Sequence, residues 1–203
     1  MATVIQDPEL SQQLIAERQR KGLDRYDEVW EGVYIMAPWP NDEQQELVGC
    51  FSTILGDLFQ FTGRGKVRPG VNLAADPNDW KFDFRVPDVI LFLNDTRAEL
   101  FGSFWSGAAD FVIEITSPRD DTRAKLPFYE KLGIRELLVI DRKPWQLELY
   151  RHERGKLSLI ASATPGQSSV ECGVVPLRIA LRIGKDRPEF SVEHTLSDRK
   201  WTF

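Results

Sequence analysis

The chain of 203 residues carries 26 Lys plus Arg against 31 Asp plus Glu, a net charge of −5. That length suits one domain with a sizeable core. The acidic balance argues against a protein that coats nucleic acid non-specifically, because neutralising phosphates takes clustered Lys and Arg. It leaves a nuclease open, since a metal ion and a few basic residues on one face can correct the charge locally. The two cysteines, Cys50 and Cys172, make no disulfide framework, and no Cys/His cluster suggests zinc. Met1 to Ser11 lacks the basic and apolar regions of a signal peptide, and ILFL and LLVI are bounded by charges. A cytoplasmic, reduced protein without a membrane span is therefore expected.

No repeat or low-complexity segment is present. Residues 9–21 have helical periodicity and end at Gly22. VWEGVYIM (29–36) reads as a hairpin turning at Glu31-Gly32. After Pro38 and Pro40, Asn41 or Asp42 caps a helix over roughly 42–61, with Leu47, Phe51, Ile54, Leu55 and Leu58 on one face. The period then changes to two. KVRPGVNL is a strand broken at Pro69-Gly70, KFDFRVPDVILFL an alternating strand that becomes a buried one, and ADFVIEIT a third. SPRDD is a loop, and TRAKLPFYEKLG a short helix closed by Gly133. RELLVID is a fourth core strand, with QLELYR and KLSLIAS forming an outer hairpin. Residues 184–203 read as an arm or peripheral elements. The expectation is one α/β domain, its core about 26–151, preceded by a helix within 1–22.

Two of these apolar strands each contain a carboxylate, although an unpaired buried carboxylate is expensive to desolvate. Strand alternation puts Val86, Asp88 and Ile90 on one face of the first, and Val112, Glu114 and Thr116 on one face of the second. If the strands pair, Asp88 and Glu114 approach each other and repel unless a proton or a cation lies between them. Oxygen ligands of this kind suit Mg²⁺ or Mn²⁺. The competing reading is a carboxylate at a frayed strand end, hydrogen-bonded to backbone. Asp110 is a weaker candidate, roughly 13 Å from Glu114 along an extended strand. Asp141 fits better as a cap of the following turn. Lys125, eleven residues after Glu114 in the next helix, could orient a nucleophile near a phosphate, or could be a solvated surface lysine.

The ordered set Pro87-Asp88, Glu114-Ile115-Thr116-Ser117-Pro118, Lys125, Tyr129, Gly133 and a strand ending at Asp141 resembles the Uma-type endonuclease family of the PD-(D/E)XK superfamily. The likeness runs from about Tyr26 to Arg151. It implies a restriction-endonuclease-like fold, a mixed central sheet flanked by helices, and Mg²⁺-dependent hydrolysis of DNA phosphodiester bonds, with Mn²⁺ able to substitute. By position it makes Asp88, Glu114 and the Ile115 carbonyl metal ligands. Lys125 becomes the superfamily lysine, moved from the place where Thr116 stands to the next helix. Tyr129, one turn on, is either an accessory group or a core aromatic.

Two departures from the family pattern stand out. Gln44 occupies the place of a frequent histidine, while Glu43 or Glu46 either approaches the metal or favours the helix N-terminus. Pro127 is expected to distort a helix that starts at Thr122. Arg64, Lys66 and Arg68 on one strand, with Arg119 and Arg123 beside the site, are candidates for holding a DNA backbone, or a solvated face and loop. A homodimer would place two symmetric sites for cutting both strands. The alternative function is an inactive nuclease-fold module for binding or dimerisation.

Overall fold

A computed structural model describes residues 8–116 and 122–203. Helix α1 (Pro8–Arg20) lies on the surface and leads to a hairpin of β1 (Glu28–Trp30) and β2 (Val33–Ile35). Glu31 and Gly32, at φ 48° and 85°, make the left-handed two-residue turn that matches strand twist. Helix α2 (Asp42–Leu55) is capped by Asn41, whose side chain accepts from the Gln44 N–H at 3.0 Å, and runs on through a wider π turn at Gly56–Gln60. The expected apolar face is fully buried, Leu47, Phe51 and Leu55 at 0% exposure. Each such side chain contributes roughly 1.5–3 kcal/mol.

Then come β3 (Gly65–Pro69), β4 (Leu73–Ala74), β5 (Phe84–Arg85), β6 (Val89–Leu93), β7 (Glu99–Phe101), β8 (Phe104–Ser106) and β9 (Phe111–Ile115). A 3₁₀ turn at Thr122–Lys125 leads into α3 (Leu126–Leu132), which Gly133 closes at φ 74°. The chain ends with β10 (Glu136–Arg142), β11 (Trp145–Glu153), β12 (Lys156–Ala163), β13 (Val170–Glu171), β14 (Leu177–Arg182), β15 (Glu189–His194) and β16 (Lys200–Thr202).

The central sheet has the order β12-β11-β10-β9-β6-β3, with β9 and β10 parallel and every other neighbour antiparallel. A parallel pair needs a crossover, which the 3₁₀ turn and α3 belong to. A side sheet (β2-β1-β5-β4-β8-β7) and a C-terminal meander (β13-β14-β15-β16) complete the fold. Strand alternation divides the core in two. Val89, Leu91, Ile113 and Ile115 pack with α2 and the meander, while Ile90, Val112 and Val139 pack with α3, Leu73 and Trp105.

Three expectations are corrected. KFDFRVPDVILFL is not one strand: β5 belongs to the side sheet and β6 to the central one, with Val86-Pro87-Asp88 between them. Proline interrupts a ladder because it has no N–H to donate. The α-helix containing Tyr129 starts at Leu126, not Thr122, so Pro127 falls in its first turn, where the missing N–H costs nothing. Residues 184–203 contain β15 and β16, and Phe190 is fully buried against Phe51 and Phe203.

Candidate active site

Glu114 sits in the middle of the core on the α3 side of β9, at 3% exposure. The Lys125 ammonium lies 3.1 and 3.2 Å from its two oxygens, and the Tyr129 hydroxyl donates to Oε1. Lys125 also donates to Glu28 Oε1 at 2.9 Å. Glu28 is fixed in turn, since its Oε1 accepts from the Val86 N–H at 2.9 Å and its Oε2 from Trp30 Nε1 at 2.7 Å. One buried ammonium is thus clamped between a carboxylate of the central sheet and one of the side sheet. Lys125 occupies the last residue of the 3₁₀ turn, just where α3 begins, which aims its side chain back at β9.

Asp88 precedes β6. Extending the register (Val89 opposite Ile113, Ile90 opposite Val112) by one residue sets Asp88 opposite Glu114. Its Oδ2 accepts from the Ile115 N–H at 2.7 Å and its Oδ1 from Gln44 Nε2 at 2.9 Å. Both readings of Asp88 meet here: it caps a strand end through backbone, and it stands beside Glu114. Burial pushes the Glu114 carboxyl up to about 8. Lys125 opposes that shift, the negative charges of Asp88 and Glu28 add to it, and the Tyr129 hydrogen bond opposes it. Burial likewise pushes the Tyr129 phenol well above its ordinary value, keeping it a donor.

The remaining candidates divide. Thr116 is buried and its hydroxyl donates to Asp141 at 2.9 Å. Arg123 pairs with Asp141 and with Glu148, the latter at 2.9 Å. Glu43 pairs with Arg142 at 3.0 Å and Glu46 with Arg187 at 2.7 Å. Between them on α2, Gln44 reaches Asp88. Asp110 instead accepts from the Leu93 N–H at the end of β6 and pairs with Arg135 at 2.9 Å. Of the strand basics, Arg64 donates to the Leu58 carbonyl, Lys66 lies 5.5 Å over the Trp105 ring, and Arg68 donates to Gln60. Arg119, Ser117 and Pro118 lie outside the described residues.

Sequence reasoning missed Glu28 and Arg142. Arg142, 2% exposed, donates to the Thr116 carbonyl at 2.8 Å, Asn41 at 2.7 Å and Glu43 at 3.0 Å, tying the start of α2 to the end of β9. The available signal for Glu28 was an acid opening an apolar hairpin strand.

Among the described residues no group of three or more His, Cys, Asp or Glu side chains is arranged to hold a metal. The donor chemistry at Asp88 and Glu114 still fits a hard cation. All the donors are oxygens, Mg²⁺ commonly uses one or two carboxylates with waters and phosphate, and a carboxylate oxygen can accept a hydrogen bond and still ligate. No described helix is long and apolar enough to cross a membrane.

A mixed sheet whose buried strand glutamate meets a lysine at the start of the following helix, beside an aspartate just ahead of the neighbouring strand, defines a restriction-endonuclease-like protein. The chain belongs to the Uma2 family, described as "Putative restriction endonuclease", whose model matches residues 9–183. In fold it is similar to a crystal structure described as a putative nuclease belonging to DUF820 from Anabaena variabilis, with a TM-score of 0.55 at 17% identity over 66% of this chain and 75% of that one. No curated protein matches the sequence.

Proposed function

We propose that the protein is a metal-dependent endonuclease that hydrolyses DNA phosphodiester bonds. The family and the fold support a nuclease. The observation that carries the finer reading is the Lys125 ammonium, buried between Glu28 and Glu114 with Asp88 alongside. A surface lysine would stay in water, whereas this one gives up its hydration for two carboxylate partners.

Asp88, Glu114 and the Ile115 carbonyl would hold Mg²⁺, or Mn²⁺ in its place. When bound, the ion supplies neutralisation of phosphate charge and a more acidic water. Lys125 donates to the attacking water or to a phosphate oxygen and offsets the charge that grows on phosphorus. Glu28 keeps the ammonium aimed. Tyr129 holds Glu114 in one rotamer, and Gln44 does the same for Asp88. Two copies of the chain would let both strands of a duplex be cut.

Nicking of supercoiled plasmid with Mg²⁺ or Mn²⁺, comparing wild type with Asp88→Ala and Glu114→Ala, tests this. Both variants lose the activity; equal nicking by all three overturns the assignment. One observation favours a second reading, a non-catalytic module that keeps the fold: each oxygen of Asp88 and Glu114 already accepts a hydrogen bond from a protein donor. Titration calorimetry that detects no divalent-ion binding would decide for it.

A further inference from the structure

A cavity of about 130 Å³ opens beside Asp88, with Arg25, Tyr26, Gln45, Gly70 and Pro87 in its walls. This is well under the roughly 300–1,000 Å³ of a site for a drug-sized ligand, so it takes one flat group and leaves the rest of a ligand outside. Its chemistry is uneven in an informative way. The Tyr26 ring forms a flat side, with the Arg25 guanidinium 5.5 Å over that ring and Trp39 edge-on at 6.0 Å. Trp39 is 58% exposed, so this aromatic pair faces solvent on one side. Val86 and Pro87 make a buried apolar wall. The exposed Gln45 amide, which can both donate and accept, stands on α2 next to Gln44, the residue that holds Asp88. At Gly70, with φ 57°, a Cβ would stand 3.2 Å from Tyr26, so a side chain there would crowd the ring that forms the wall.

We infer that this cavity is a nucleobase pocket, and that the site acts on nucleic acid presenting an unpaired base next to the phosphate that is cut. The inference rests on the nuclease reading above. A base on Tyr26 stacks with little regard to sequence, as in single-strand binding grooves that combine aromatic shelves with cations. Its adjoining phosphate then comes within reach of Asp88, which forms part of the wall. In an intact duplex the bases are stacked inside the helix, so only a single strand or an extruded nucleotide can enter.

Fluorescence anisotropy with Ca²⁺ in place of Mg²⁺ measures binding of a short labelled single strand and of the same strand in a blunt duplex. Wild type binds the single strand more tightly. Tyr26→Ala weakens that binding roughly five- to 150-fold, the range that stacking of one base carries, while Tyr26→Phe keeps it. Gln45→Trp, at an exposed helix position, fills the cavity and weakens single-strand binding with an unchanged circular dichroism melt. Equal affinity for both forms, or single-strand binding indifferent to Gln45→Trp and Tyr26→Ala, overturns the pocket. If Asp88-dependent nicking persists in that case, the nuclease reading survives without it. If wild type binds neither form and nicks nothing, both fall.

Discussion

Glu28 and Lys125 are 97 residues apart in the chain and 2.9 Å apart in the fold. Glu28 accepts from Lys125, Val86 and Trp30 at once, and a glutamine cannot accept at both of its terminal atoms. Glu28→Gln is expected to lower kcat about tenfold to a thousandfold and to cost about 2–4 kcal/mol, near the loss for breaking a buried pair. Urea unfolding separates the two effects: the rate falls further than the folded fraction does.

Glu114 sets a pH dependence in the metal-free protein. Its folded-state value lies near 8, above the ordinary 4.5, because it is buried among other carboxylates. The native state therefore holds a proton that the unfolded chain has released between those values. Stability from this group is full below about 4.5 and is lost as the pH rises through about 8. Thermal melts across that window are expected to fall in wild type and to flatten in Glu114→Gln. Parallel slopes would assign the proton elsewhere.

Arg142 links α2 to the end of β9 through the Thr116 carbonyl, Asn41 and Glu43. Arg142→Met leaves that carbonyl and the Asn41 side chain without this donor. A loss of about 2–4 kcal/mol is expected, with faster amide exchange in the first turn of α2. Nicking falls too, because Gln44 in that turn no longer positions Asp88.

Glu136 is fully buried and accepts from Arg151 and from the N–H groups of Gly173 and Val174. It fastens the turn between β13 and β14 of the meander to the central sheet. Glu136→Ala removes the acceptor of four donor nitrogens on three residues and is expected to cost about 3–5 kcal/mol. Activity per folded molecule stays at the wild-type level, since this contact lies away from Glu114. Amide exchange should quicken in β13 and β14 before β9.

Much of this architecture is written locally. The apolar face of α2, the Glu31-Gly32 turn and the buried acid in β9 each follow from spacing or from a left-handed backbone need, all within a dozen residues. The fate of Phe84 and Arg85 does not, because whether an extended piece joins one sheet or another depends on partners far away in sequence. The meander was faint for a different reason. In β15 only Phe190 and Val192 face inward, too few to set a period against the charged residues around them. Within the site, Asp88 and Glu114 were legible from strand phase, and Lys125 from family likeness. Glu28 showed only as an acid opening a hairpin strand, since its partners are set by contacts made in folding.

The contact between Glu28 and Lys125 bears on when the site is assembled. Along the chain Glu28 comes first, then Asp88, then Glu114, and Lys125 follows all three. The ammonium comes last, and it reaches both carboxylates only once the hairpin and β9 have docked. Loop closure over such a span is slow compared with local helix formation. The cluster is therefore completed late in folding, after the two sheets that carry its carboxylates have met.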